Sequence, residues 1–180
     1  MNQSSEKTTA SAQDRWEDVV TALVAERGES LTRYAYFISG SADDAADLVQ
    51  DALVKTFGRV RNGFTVASAE AYVRRAILNT HLDTRRRRAR WRKIAHLTAV
   101  PDIDDRTEQA TDDSLDLVGH LKRLSPRERA CIVLRYYEDL KVDDIAHQLD
   151  ISSGAVKRYL SDALAKLGDL LGERGEDHAR

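Results

Sequence analysis

The sequence predicts an all-α chain built as two small helical domains joined by a flexible acidic linker. Three observations carry this. Proline occurs only at Pro101 and Pro126, and glycine nine times in 180 residues, so helix breakers are scarce. Apolar residues recur three and four positions apart over long stretches, the period of a helix with one buried face. That period lapses between residues 93 and 112, where Asp102, Asp104, Asp105 and Glu108 follow Pro101. Hydrophobic residues make up 42% of the chain and charged ones 32%, which is enough to furnish cores and excludes disorder of the whole.

The first domain is expected over residues 14–92, after a disordered polar tail over 1–13. Trp16, Val19, Val20, Leu23 and Val24 give a helix that Gly28 is expected to end. Leu31, Tyr34, Ala35, Phe37 and Ile38 give a second, stopping near Gly40. Ser41 caps a third, with Asp44 three residues on. Its apolar stripe is Ala45, Leu48, Val49, Ala52, Leu53 and Phe57. Gly58 and Asn62-Gly63 mark a loop. Ser68 is expected to cap a fourth helix, with Tyr72, Val73, Ala76, Ile77 and Thr80 as its inner face. Residues 93–112 form the linker.

The second domain is expected over 113–172, with a polar tail over 173–180. Leu115, Val118, Leu121 and Leu124 supply its first helix. Ser125-Pro126-Arg127-Glu128 is a strong helix start: a capping serine, proline at the first position and glutamate at the third. Ala130, Ile132, Val133, Leu134 and Tyr137 are the apolar positions that follow. A short helix with Val142, Ile145, Ala146 and Leu149 comes next. A turn at Asp150-Ile151-Ser152 leads into a longer helix with Ala155, Val156, Tyr159, Leu160, Ala163, Leu164 and Leu167. Two short helices joined by such a turn describe a helix-turn-helix. Ser153, Lys157, Arg158 and Ser161 lie on the exposed side of its second helix, whose first half enters a major groove.

Charge is unevenly spread although the net is −2. Residues 85–93 read RRRRARWRK, seven positive side chains in nine. Such a run can neutralise several phosphates, or serve simply as a charged helix end. Trp91 within it can stack or pack on a neighbouring helix. Catalytic chemistry finds no support. There is no glycine-rich phosphate loop and no nucleophile motif, and none of the five histidines stands in a zinc spacing, so no metal and no cofactor is expected. The one cysteine, Cys131, lies among apolar residues and is expected as inert core. No run of 18 apolar residues occurs.

Two segments resemble the extracytoplasmic-function (ECF) sigma factors, in particular the actinobacterial SigE-like group. The first is Asp43-Asp44-Ala45-Ala46-Asp47-Leu48-Val49-Gln50-Asp51, similar to the acidic part of sigma region 2. The second is Leu124-Ser125-Pro126-Arg127-Glu128-Arg129 followed by Leu134-Arg135-Tyr136-Tyr137-Glu138-Asp139-Leu140, similar to the opening of sigma region 4. The likeness runs from about Trp16 to Leu171. It implies a region 2 four-helix bundle and a region 4 helix-turn-helix. It further implies a non-enzymatic cytoplasmic, nucleoid-associated protein that binds core RNA polymerase through the beta-prime clamp and the beta subunit, and binds promoter DNA. Many relatives have an anti-sigma factor, so such a partner is raised too. No membrane partner is implied.

By the same resemblance Asp47, Gln50, Asp51 and Val54 meet the polymerase clamp, with Leu53 and Phe57 buried beneath them. Asn62, Phe64, Arg75, Asn79 and Arg86 face the −10 element. Phe64 either pockets a flipped base or anchors its loop. Tyr72 and Asp83 read as structural. Gly154, Lys157, Arg158, Ser161 and Asp162, beside Ser153, face the −35 element. Asp162 departs from the basic residue common among relatives; it can accept from cytosine N4 or pair with a neighbouring cation. About twenty linker residues at ~3.3 Å each span ~65 Å, close to two turns of duplex at ~34 Å each. The linker's acid suits either a basic polymerase channel or plain solvation. The alternative is an autonomous helix-turn-helix regulator, for which an exposed acidic face at Asp47–Asp51 has no use.

Overall fold

The computed structural model describes the backbone of residues 3–59, 65–95 and 113–177, and side chains over most of these. Every regular element among them is helical. The chain divides into two compact units, Met1–His81 and Leu82–Arg180, with the division inside a helix.

Helix α1 is Gln3–Ser39, α2 is Ala42–Arg59 and α3 is Val66–Ala95. The two helices expected before residue 40 are one, so three helices rather than four form the described part of the first domain, and the first helix reaches back into the expected tail. Gly28 does not stop it. A glycine costs a helix interior only about 1 kcal/mol, and Leu23, Leu31 and Tyr34 on either side are fully buried. The stop is Gly40, whose φ of 79° only glycine adopts freely. Its N–H donates to Tyr36 O at 2.7 Å.

Ser41 Oγ accepts from Asp44 N at 3.3 Å and so caps α2. Ala45, Leu48, Ala52 and Phe57 then turn into the core; Leu53 is only half-buried. The fourth expected helix, α3, starts earlier than its predicted cap. Thr65 is the cap and Ser68 its reciprocal partner: Ser68 N donates to Thr65 Oγ1 at 3.2 Å and Thr65 N to Ser68 Oγ at 3.0 Å. Arg74 holds α3 to α1. Its guanidinium donates to Glu70 Oε1 and Ser30 Oγ at 2.7 and 2.8 Å and lies 5.3 Å from the centre of the Tyr34 ring. Arg27 of α1 reaches the other Glu70 oxygen at 3.4 Å. Lys55 of α2 donates to Thr80 of α3 at 3.0 Å.

In the second unit, α4 is Asp113–Lys122 and α5 is Pro126–Ile132, which continues as a π-helical turn over Val133–Tyr137; α6 is Val142–Leu149 and α7 is Ser153–Asp177. Residues 128–134 are buried without interruption, so α5 is the central rod against which α7 packs. Ser125 and Glu128 form the expected capping box, with Pro126 behind the cap. Glu128 also accepts from Lys166 Nζ of α7 at 2.7 and 2.9 Å. Burial alone would raise this carboxyl; the bonds from Lys166 and Ser125 outweigh it and hold it below its ordinary 4.5. Arg129 is buried too, which pulls its guanidinium down to about 10; it donates to Lys122 O at 3.1 Å. Cys131 is fully buried and its thiol is pushed up to about 11, as an inert core residue should be.

Two stability results are expected. Glu128→Ala should cost about 1–3 kcal/mol at pH 7. Since the folded carboxyl titrates below the unfolded one, that contribution is present above pH 4.5 and fades as pH falls through it. Melting temperatures of wild type and variant should therefore converge in acid; a gap independent of pH would contradict the charge-based account. Arg74→Ala should cost about 2 kcal/mol and Arg75→Ala nothing measurable, as read by thermal unfolding.

Candidate nucleic-acid interface

Three helical faces remain turned outward once the cores are assigned. On α2, Asp47, Gln50, Asp51 and Val54 recur at helical spacing and are all exposed. Val54 is 72% exposed, an apolar side chain set among acids. The buried Leu48, Ala52 and Phe57 orient this stripe from the other side of the helix.

On α3, Arg75, Asn79 and Arg86 share one exposed face, opposite Val73, Ile77 and His81. Arg74 and its neighbour Arg75 thus point to different surroundings, one into the α1 contact and one outward. The sequence reading missed Tyr72, which it placed on the inner face. Tyr72 is 57% exposed and stands one turn before Arg75 on the outward face. The signal was available: Val73, not Tyr72, fits the period of Ile77 and Ala69. Asp83 is also exposed, 3.7 Å from Arg86 Nη1. Further along, Arg87, Arg88 and Arg90 are exposed, and Trp91 stands 70% exposed among them. Asn62 and Phe64 lie outside the described residues, as do residues 96–112 of the acidic linker expected over 93–112, whose first three residues continue α3 instead.

The third face belongs to α6 and α7. Ile145, Ala146 and Leu149 of α6 bury against Val156, Leu160 and Ala163 of α7, the packing expected of a helix-turn-helix. Asp150 makes the turn with φ 52° and ψ 55°. Ile151 N donates to Ala146 O at 3.0 Å and Asp150 N to His147 O at 3.4 Å, which closes the end of α6. Arg127 Nη1 donates to Leu149 O at 3.2 Å and ties that end to α5. Ser152 Oγ accepts from Ala155 N at 3.1 Å and caps α7.

Gly154, Lys157, Arg158, Ser161 and Asp162 are exposed along α7. Ser153 differs from its expected setting. It is half-buried, and its hydroxyl donates to Asp143 Oδ1 at 2.6 Å, so it also links the starts of α6 and α7. Among the described residues no group of three or more histidine, cysteine, aspartate or glutamate side chains is placed to hold a metal.

Comparison with known proteins identifies the family. Residues 23–92 match the family model for sigma-70 region 2, and residues 117–167 that for sigma-70 region 4. The chain is 38% identical over 161 residues to the RNA polymerase sigma-E factor of Streptomyces avermitilis, covering 86% of each. The chain belongs to the sigma-70 family, in its ECF SigE-like group. The Streptomyces coelicolor sigma-E factor is 36% identical over the same share of each chain. The ECF sigma factor SigE of Mycolicibacterium smegmatis is 32% identical, over 88% of this chain and 63% of that one.

Solved structures of sigma factors share the fold. RpoE of Bartonella quintana, in complex with the anti-sigma factor NepR, superposes with a TM-score of 0.60 at 23% identity, over 89% of this chain and 98% of that one. CnrH, in complex with the cytosolic domain of CnrY, gives 0.59 at 25% identity, over 91% and 94%. This sigma factor is accordingly a promoter-specific, non-enzymatic transcription initiation factor, and sigma factors bind core RNA polymerase and promoter DNA.

Ser152→Ala removes the cap of the sigma factor's α7. It should cost about 1 kcal/mol, and hydrogen exchange should rise in the first turn of α7 before it rises in α5. Uniform loss of protection across the second unit would contradict a local capping role.

Proposed function

We propose that the three outward faces divide the work of initiation in this sigma factor. The α2 stripe of Asp47, Gln50, Asp51 and Val54 docks on the beta-prime clamp of core RNA polymerase. The outward face of α3, with Arg75, Asn79 and Arg86, binds the −10 element together with Asn62 and Phe64. The exposed side of α7, with Gly154, Lys157, Arg158, Ser161 and Asp162 beside the half-buried Ser153, binds the −35 element. In domain terms, residues 14–92 act as region 2 and 113–172 as region 4, with the acidic linker between.

The observation that carries this reading is the exposure of Val54. Valine on a helix surface, 72% accessible and framed by carboxylates at helical spacing, suits a protein partner with an apolar spot inside a basic rim. It has no use on a free regulator. The α3 and α7 faces supply the nucleic-acid side. Arginines and an asparagine lie along α3, and a capped recognition helix presents Lys157 and Arg158 on α7. The sigma factor then works in the cytoplasm, at the nucleoid. An anti-sigma factor is a further proposed partner, by analogy with the complex that holds the Bartonella quintana protein.

The test is transcription in vitro with purified core RNA polymerase and a cognate promoter. Promoter-specific starts are expected, and their absence would remove the proposal. Asp51→Arg should weaken core binding at least roughly ten-fold, as charge reversal at an interface does, with an unchanged circular dichroism spectrum. Unchanged affinity would reject the clamp assignment. Lys157→Ala should lower output at promoters that need a −35 element, and wild-type output there would reject that contact.

A further inference from the structure

We infer that Arg158 is the specificity-determining residue of α7 and reads a guanine of the −35 element, whereas Lys157 anchors a phosphate. The inference rests on the assignment of α7 to that element.

Position on the helix separates the two cations. Each residue advances about 100° around an α-helix. Val156, Leu160 and Ala163 define the buried side. Directly opposite them fall Gly154, Arg158 and Ser161. Lys157 falls on one flank of that face and Asp162 on the other. In a major groove the centre of the inserted face meets base edges, and its flanks meet the sugar-phosphate walls. Arg158 is therefore aimed at bases and Lys157 at a backbone.

Gly154 points the same way. A Cβ added there would meet only Ser152 Oγ, at an ordinary 3.9 Å. Nothing inside the protein needs the missing side chain at this second position of α7. The space lies one turn before Arg158, on the same face, and lets the helix start approach an outside surface closely.

The chemistry of Arg158 fits the task. Its guanidinium lies 5.5 Å from the centre of the neighbouring Tyr159 ring, which limits its freedom without using its hydrogen-bond donors. Asp162 stands one turn on, at ion-pair spacing, yet no ion pair joins the two among the described residues. The planar fork is left to bridge O6 and N7 of a guanine, a match that the point charge of lysine does not make. Asp162 repels phosphate on the far flank, so base contact carries a larger share of recognition.

The experiment uses holoenzyme assembled from core RNA polymerase and the full chain, on a promoter library with a randomised −35 element, read by sequencing transcripts. Wild type should enrich guanine at one position. Arg158→Ala and Arg158→Lys should both reduce that preference roughly ten-fold; the lysine variant keeps the charge and so isolates the fork. Lys157→Ala should keep the guanine preference, lower output across all sequences, and reduce the salt slope by about 1. An unchanged guanine preference in Arg158→Ala, or in Arg158→Lys, overturns the inference. A wild type indifferent to every base of the randomised element overturns the −35 assignment of α7 itself, an outcome distinct from the first.

Discussion

The carboxylate of Glu128 closes two structures at once. Within α5 it accepts the Ser125 N–H and completes the capping box; across to α7 it accepts both bonds from Lys166. The first fixes where α5 begins, the second how α7 lies against it. The face proposed for the −35 element is mounted on α7, so its direction depends on this one buried acid. A buried charge so bonded is well placed to fix an angle, since any other packing of α7 would cost it both Lys166 bonds. Arg127 adds a smaller tie from the same helix to the end of α6. The turn between α6 and α7 then needs only to be short and well capped, and Asp150 and Ser152 make it so.

The first unit solves the matching problem with a different device. Its outward faces on α2 and α3 are set by apolar stripes on the reverse sides of the same helices, and α3 is pinned to α1 by the Arg74, Glu70 and Ser30 contacts. Neighbouring arginines then serve unlike ends. Arg74 spends its donors on the fold, and Arg75 keeps them for the surface. The pair lets one helix present a cation outward at Arg75 while Arg74 keeps it attached to its own domain.

Much of this was legible in the sequence, and the exceptions are instructive. Ser125, Pro126 and Glu128 announced α5 because caps and prolines act locally. The helix-turn-helix was visible because its crossing residues, Ala146, Leu149, Val156 and Leu160, follow a tight period. The exposed stripe of Asp47, Gln50, Asp51 and Val54 was legible as the side of α2 left over once its apolar period was assigned. Gly28 misled because helix stops are decided by tertiary burial as well as propensity, and Leu23, Leu31 and Tyr34 outweigh one glycine. Ser68 misled because a reciprocal cap has two similar residues, and the sequence does not say which one opens the helix. Tyr72 misled because aromatic residues are read as core by default. The π-helical turn at Val133–Tyr137 has no sequence signature; it lies just before Asp139, where φ is 52°.

The burial of Cys131 has a practical side. Its thiol is enclosed by the core and pushed up to about 11, so the native sigma factor should react slowly, if at all, with maleimide reagents. A single cysteine placed on an exposed position of either unit would take a dye or spin label with little background. Pairs of such positions make the chain its own ruler, able to report how the separation of its two halves changes from free solution to holoenzyme to open promoter.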